Sequence, residues 1–90
     1  MLKVRSSHVF DSDLKLAKKR HFDINLLEEV VNKLANQEKL DAKYKDHPLK
    51  GKYQGYRECH IKPDWILVYR IDKNILMLYL FRTGTHSDLF

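Results

Sequence analysis

Apolar and polar side chains alternate over residues 2–6, which predicts a short strand, and Ser6 and Ser7 then supply an N-cap for a helix. Phe10, Leu14 and Ala17 share one face of that helix, with Lys15, Lys18 and Lys19 opposite. Asp11 and Asp13 lie in its first turn and the lysines near its end, as the helix dipole favours, and the pattern stops near His21 and Phe22. Asp23 or Asn25 caps a second helix, Asn25 and Glu28 having capping-box spacing. Leu26, Leu27, Val30, Val31 and Leu34 follow at helical spacing, so two amphipathic helices are expected to pack as a hairpin. Residues 36–45 are polar and read as irregular chain.

The remainder reads as strands. Residues 56–62 alternate, Pro63 and Asp64 punctuate, residues 65–71 are rich in β-branched and aromatic side chains, and Asp72, Lys73 and Asn74 form a turn before a strand over 75–82. Two successive hairpins make an antiparallel meander. Its last two strands carry apolar residues on both parities, so both faces need cover: the helical hairpin on one, and the C-terminal segment, a second copy or a partner on the other. The expected fold class is α+β, an N-terminal strand and two-helix hairpin packed on a small, mainly antiparallel sheet. No composition break or internal repeat divides residues 1–90, which read as a single domain.

Composition narrows the class. With 43% hydrophobic and 32% charged residues the chain is neither collagen-like nor disordered. A domain of this size buries only about 60–65% of the surface its unfolded chain exposes, which leaves one thin core and no room for a deep substrate cavity. A single cysteine, Cys59, makes no intrachain disulfide. No signal-peptide pattern opens the chain and no apolar run approaches membrane-spanning length, so the expected setting is a reducing, cytoplasmic one with no membrane partner.

The net charge of +5 is uneven. Residues 1–42 carry 8 basic and 7 acidic side chains, and residues 43–90 carry 9 and 5. The second half is the candidate for an anionic partner. It also holds His47, His60 and His86, and imidazole is the side chain that titrates near neutral pH. His8 and His21 fall on the helical half and read as helix-surface residues. Strand alternation puts Glu58, His60 and Lys62 on one face of their strand and Arg57, Cys59 and Ile61 on the other, with Cys59 turned to the core. Asp64 can orient a neighbouring imidazole or cap a turn, and Trp65 can be core or a stacking surface for a base.

Between 43 and 53, lysines that include Lys50 and Lys52 are interleaved with Tyr44 and Tyr53, a mixture that suits RNA. Near the end, Arg82 closes a strand, Gly84 allows a change of direction, and His86 and the terminal Phe90 follow. Metal-free RNA cleavage needs a base for the 2′-OH, an acid for the leaving 5′-oxygen and a cation for the phosphate, and His, Asp, Arg and Lys supply these. A zinc site on His47, His60, Asp64 and His86 is the alternative, but neither His-x-His nor His-x3-His spacing occurs and Pro63 interrupts His60 and Asp64, so no metal or other cofactor is expected.

Three ordered blocks, Tyr44-Lys45-Asp46-His47-Pro48-Leu49-Lys50-Gly51, Gly55-Tyr56-Arg57-Glu58-Cys59-His60-Ile61-Lys62-Pro63-Asp64-Trp65-Ile66-Leu67-Val68-Tyr69 and Arg82-Thr83-Gly84-Thr85-His86-Ser87-Asp88-Leu89-Phe90, resemble the YafQ-type toxins of the RelE/ParE superfamily. The resemblance implies a RelE-like fold and a toxin of a type II toxin–antitoxin pair that cleaves messenger RNA in the ribosomal A site. It implies a catalytic set of His47, His60, Asp64 and His86, with Arg82 at the phosphate and Trp65 and Phe90 holding RNA. Lys50, Lys52, Arg57 and Lys62 are added as RNA-binding cations on charge. The implied partners are a cognate antitoxin, mRNA on the ribosome, and operator DNA only through the antitoxin complex. A ParE-like gyrase poison shares the scaffold, but has no chemical need for the histidine set. A non-catalytic RNA-binding module is the other reading.

Overall fold

Ser7, with extended backbone, accepts a hydrogen bond from the Phe10 N–H at 2.9 Å on its Oγ and starts α1 (His8–Lys19). Lys18 and Lys19 occupy the last turn of α1, where the helix dipole favours cations. For α2 (Ile24–Ala35) the cap is Asp23, whose carboxylate accepts from the Asn25 N–H at 3.1 Å; Asn25 is already inside the helix. Around these helices the computed structural model, which describes residues 1–90, places β1 (Lys3–Ser6), β2 (His47–Pro48), β3 (Arg57–Lys62), β4 (Trp65–Asp72), β5 (Met77–Gly84) and a short α3 (His86–Leu89).

The strands form one sheet in the order β1-β5-β4-β3-β2. The meander β3-β4-β5 is antiparallel, while β1 lies parallel to β5 at the edge, since the chain must cross over the sheet in α1 and α2 before it returns. Phe10 of α1 and Leu27, Val30 and Leu34 of α2 meet Cys59, Leu67, Tyr69, Leu78 and Leu80 of the sheet in the main core. Each such side chain contributes about 1.5–3 kcal/mol by leaving water. On the opposite face Ile66 and Val68 are covered by Leu89 of α3, flanked by Leu49, Tyr56 and Phe81. The C-terminal segment, one of the covers the pattern allowed, thus closes part of this face.

Three departures from the sequence reading have local causes. The last strand begins at Met77, not residue 75: the Asp72 carboxylate accepts from the Asn74 N–H at 3.0 Å, and the turn runs on through Leu76, whose φ of 52° is left-handed. Ile75 and Leu76 are left 63% and 58% exposed on that turn. Within β5 the register slips opposite Val68 and Tyr69, which face Arg82 and Leu80, so Phe81 is the extra residue of a bulge. The segment read as irregular includes a 3-10 turn over Ala42–Tyr44 that seats the Tyr44 ring in the core.

Candidate active site

Glu58 faces away from the helices on β3, and its side chain is 7% exposed. Its Oε1 lies 3.8 Å from Nε2 of His47, 3.4 Å from Nε2 of His60 and 3.5 Å from Nε2 of His86. Each imidazole arrives on a different element. His47 is opposite Glu58 in the β2–β3 register, His60 is two residues along β3, and His86 opens α3. The His60 and His86 rings are 5.4 Å apart between centroids.

The second ring nitrogens have partners of their own. Nδ1 of His47 lies 2.7 Å from the Lys45 carbonyl oxygen and Nδ1 of His60 lies 3.3 Å from that of Pro63. A carbonyl only accepts, so these nitrogens carry the proton. Nε2 of either ring then faces Glu58 as its ion-pair partner when the ring is protonated, and can accept a proton when the imidazole is neutral. Nδ1 of His86 is 3.8 Å from Oδ1 of Asp64, whose side chain is 78% exposed. Asp64 thus joins the cluster through His86. Glu58 is the residue the sequence reading passed over: it shares strand parity with His60, but its role depends on three elements converging.

α3 is held by two devices. Thr85 and Asp88 form a capping box, and Arg20 at the end of α1 grips Asp88 at 2.7 Å. The Arg20 hydrogen bonds, with those from Thr85, hold the Asp88 carboxyl down at about 2. Gly84, at φ 154°, is where a Cβ would come within 3.0 Å of Asp88 Oδ2 and 3.2 Å of its Cβ, so only glycine allows this approach.

Other expected site residues are placed differently. Trp65 is buried, its Nε1–H donating to Thr83 Oγ1 at 2.9 Å and its ring 5.0 Å from Phe22, so it is core and not a free stacking surface. Arg57 points to the helix side, as its parity required, and donates to Asp46 at 3.2 Å; Tyr69 donates to the same carboxylate at 2.6 Å. That pairing raises Arg57, and burial raises the Tyr69 phenol. Arg57 therefore anchors the loop before His47 and is not an RNA contact on the histidine face. Arg82 donates through Nε and Nη2 to Asp13 at 2.8 and 3.1 Å, and the Thr83 N–H donates to the same carboxylate at 3.1 Å. Lys50, Lys52 and Lys62 are exposed, and Phe90, 58% exposed, stands 6.4 Å from the His86 ring. Cys59 is buried as expected, and burial pushes its thiol up to about 12.

Such a fold and site define a small α+β protein with a histidine–carboxylate centre on the outer face of a sheet. The sequence profile of a family described as a bacterial toxin of a type II toxin–antitoxin system, YafQ, matches residues 2–90. The mRNA interferase toxin YafQ of Escherichia coli K12 is 46% identical over 88 residues, covering 97% of this chain and 94% of that protein. A crystal structure of a metal-bound toxin from Helicobacter pylori superposes with a TM-score of 0.95 at 52% identity, covering both chains completely. YafQ in the E. coli DinJ–YafQ complex superposes at 0.90 with 44% identity, covering 100% of this chain and 99% of that one. The chain belongs to the YafQ family of type II toxins.

The H. pylori relative was crystallised with a metal bound. Donor atoms of Glu58, His60 and His86 lie within 4.8 Å of one another, a carboxylate and two imidazoles of the kind that bind Zn²⁺ or Cu²⁺. The set fits such an ion, which would supply positive charge where a phosphate has to enter. No helix is long and apolar enough to cross a membrane.

Proposed function

We propose that this toxin is an endoribonuclease that cuts mRNA in the ribosomal A site without a metal. The convergence of three Nε2 atoms on one buried carboxylate oxygen carries the reading. Attack of a 2′-oxygen on the adjacent phosphorus forms the 2′,3′-cyclic phosphate while the P–O5′ bond breaks. One imidazole takes the 2′-OH proton and a protonated one gives its proton to the 5′-oxygen. His60 and His86 form this pair, their rings adjacent at 5.4 Å with both Nε2 atoms beside Glu58. Glu58 holds the charged form of whichever ring is protonated. Asp64 orients His86, and His47 is a further donor to the phosphate.

Arg82, aligned by Asp13 through two of its nitrogens, keeps Nη1 for charge that develops on the phosphate. Lys50, Lys52 and Lys62 add to the positive field. A site this open suits positioning by the ribosome, and a cytoplasmic setting goes with that reading. Its inhibitor is a cognate antitoxin, and operator DNA is reached through the complex of the two.

The test is to map 5′-hydroxyl ends of cellular mRNA after brief induction. Wild type yields ends within codons, and His86→Ala yields at least 100-fold fewer, the size of a lost general acid or base. Equal yields from the two would overturn the assignment.

A further inference from the structure

The outer face of the sheet carries a line of rings that the cleavage chemistry does not use. It starts in the site: Phe90 lies 6.4 Å from His86 and meets Tyr53 edge-on at 5.3 Å. Tyr53 is 6.3 Å from Phe81, the bulged residue of β5. Phe81 stands between Tyr56 at 4.7 Å and Tyr79 at 6.3 Å, each tilted only 28° from its plane. Arg70 places its guanidinium carbon 5.4 Å from the Tyr56 ring centre and 5.6 Å from that of Tyr79. Apart from Phe90, which is exposed, these rings are half-buried, and Arg70 is exposed.

Charge on the same face points one way. The β1–β5 register sets Arg5 beside Tyr79 and Lys3 beside Met77, and Lys52 lies over Tyr53. By strand parity the carboxylates of β3, β4 and β5 on this side are Glu58, enclosed by the histidines, and Asp72, bonded into the far turn. Cations spaced between rings, with the exposed Asp64 confined to the histidine end, suit a polyanion with flat, unstacked bases. Arg70, steadied by two rings, offers its N–H fork to a phosphate.

We propose that this face, from Phe90 through Tyr53 and Phe81 to Tyr79 and Arg70, is a binding track for the single-stranded mRNA on the 3′ side of the cleaved bond. The proposal rests on the ribonuclease reading. Its direction follows from that reading, because the strand 5′ of an A-site codon is paired with tRNA in the adjacent site, and the 3′ strand is the one free to lie on rings.

The test compares wild type with the double variant Arg70→Ala, Tyr79→Ala on ribosomes programmed either with mRNA ending at the A-site codon or with mRNA continuing about nine nucleotides beyond it. On the longer message the variant shows a KM raised roughly tenfold, the loss of one stacked base and one phosphate contact, with kcat unchanged. On the short message the two proteins are equal. Equal KM values on the longer message, or the same loss on both messages, overturn the track while cleavage by wild type keeps the ribonuclease reading. Weakened antitoxin binding with unchanged cleavage assigns the face to a protein and overturns the track as well. Absence of 5′-hydroxyl products from wild type overturns the ribonuclease reading itself. Unchanged thermal melting of the variant shows that the fold is intact.

Discussion

At the scale of single residues, the site turns on Glu58. A carboxylate with 7% exposure is costly unless it is paired, and here its partners are three imidazoles 3.4 to 3.8 Å away. Glu58→Gln keeps the shape and removes the charge that holds an imidazolium. We expect that variant to lose about 10²–10³-fold in mRNA cleavage, within the usual span of acid–base catalysis, while its melting temperature stays near wild type; in vitro cleavage of ribosome-bound mRNA and a calorimetric melt check both. The same atoms meet a metal in competition with substrate. Cleavage is expected to persist in chelator and to fall on titration with Zn²⁺, read as loss of 5′-hydroxyl product. Trp65 shows the limit of reading residues singly: next to Asp64 in sequence it could be core or a stacking ring, and its place in β4 sends it to the helix side and into the core.

At the scale of elements, α3 is the piece on which the site depends. Its four residues could not hold a helix alone. They stay in place through the Thr85–Asp88 box, the Arg20 clamp and Leu89 on Ile66 and Val68. Gly84→Ala inserts a Cβ into the Asp88 side chain, so we expect α3 to shift and cleavage to drop more than tenfold; the strain is on the order of 1–3 kcal/mol, which a denaturant melt would register. The pH dependence has a definite sign. The folded Asp88 carboxyl, at about 2, lies below its ordinary value of 3.8, so its contribution is fully present above that ordinary value and is lost as pH falls through about 2. NMR contacts between Phe90 and Tyr53 should persist at pH 5 and fade below pH 3. From sequence, Gly84 announced a change of direction but not a helix, because four residues carry no periodicity.

At the scale of the whole molecule, the division of the sheet into two faces organises everything. One face is covered by the helical hairpin, and the other holds the histidines and the ring-and-cation surface, with α3 over only a part of it. The positive surplus of residues 43–90 is divided between the two: Arg70, opposite Tyr79, belongs to the outer face, while Arg57 is tied to Asp46 behind the sheet. Lys62, which strand alternation had set beside Glu58 and His60, is carried off that face by the register shift that pairs it with the core residue Trp65. The sequence by itself determined the α+β class, the two helices, the meander, the buried Cys59 and the membership of His47, His60 and His86 in one basic half. Each of these follows from local periodicity, turn chemistry or strand parity, which act over a few residues. Only the tertiary structure decided that three imidazoles share Glu58, that Arg82 is aligned by Asp13 across 69 positions of chain, and that Trp65 is core. Those outcomes depend on which strands become neighbours and where a bulge falls. Packing of the entire sheet settles both, and no single segment encodes them.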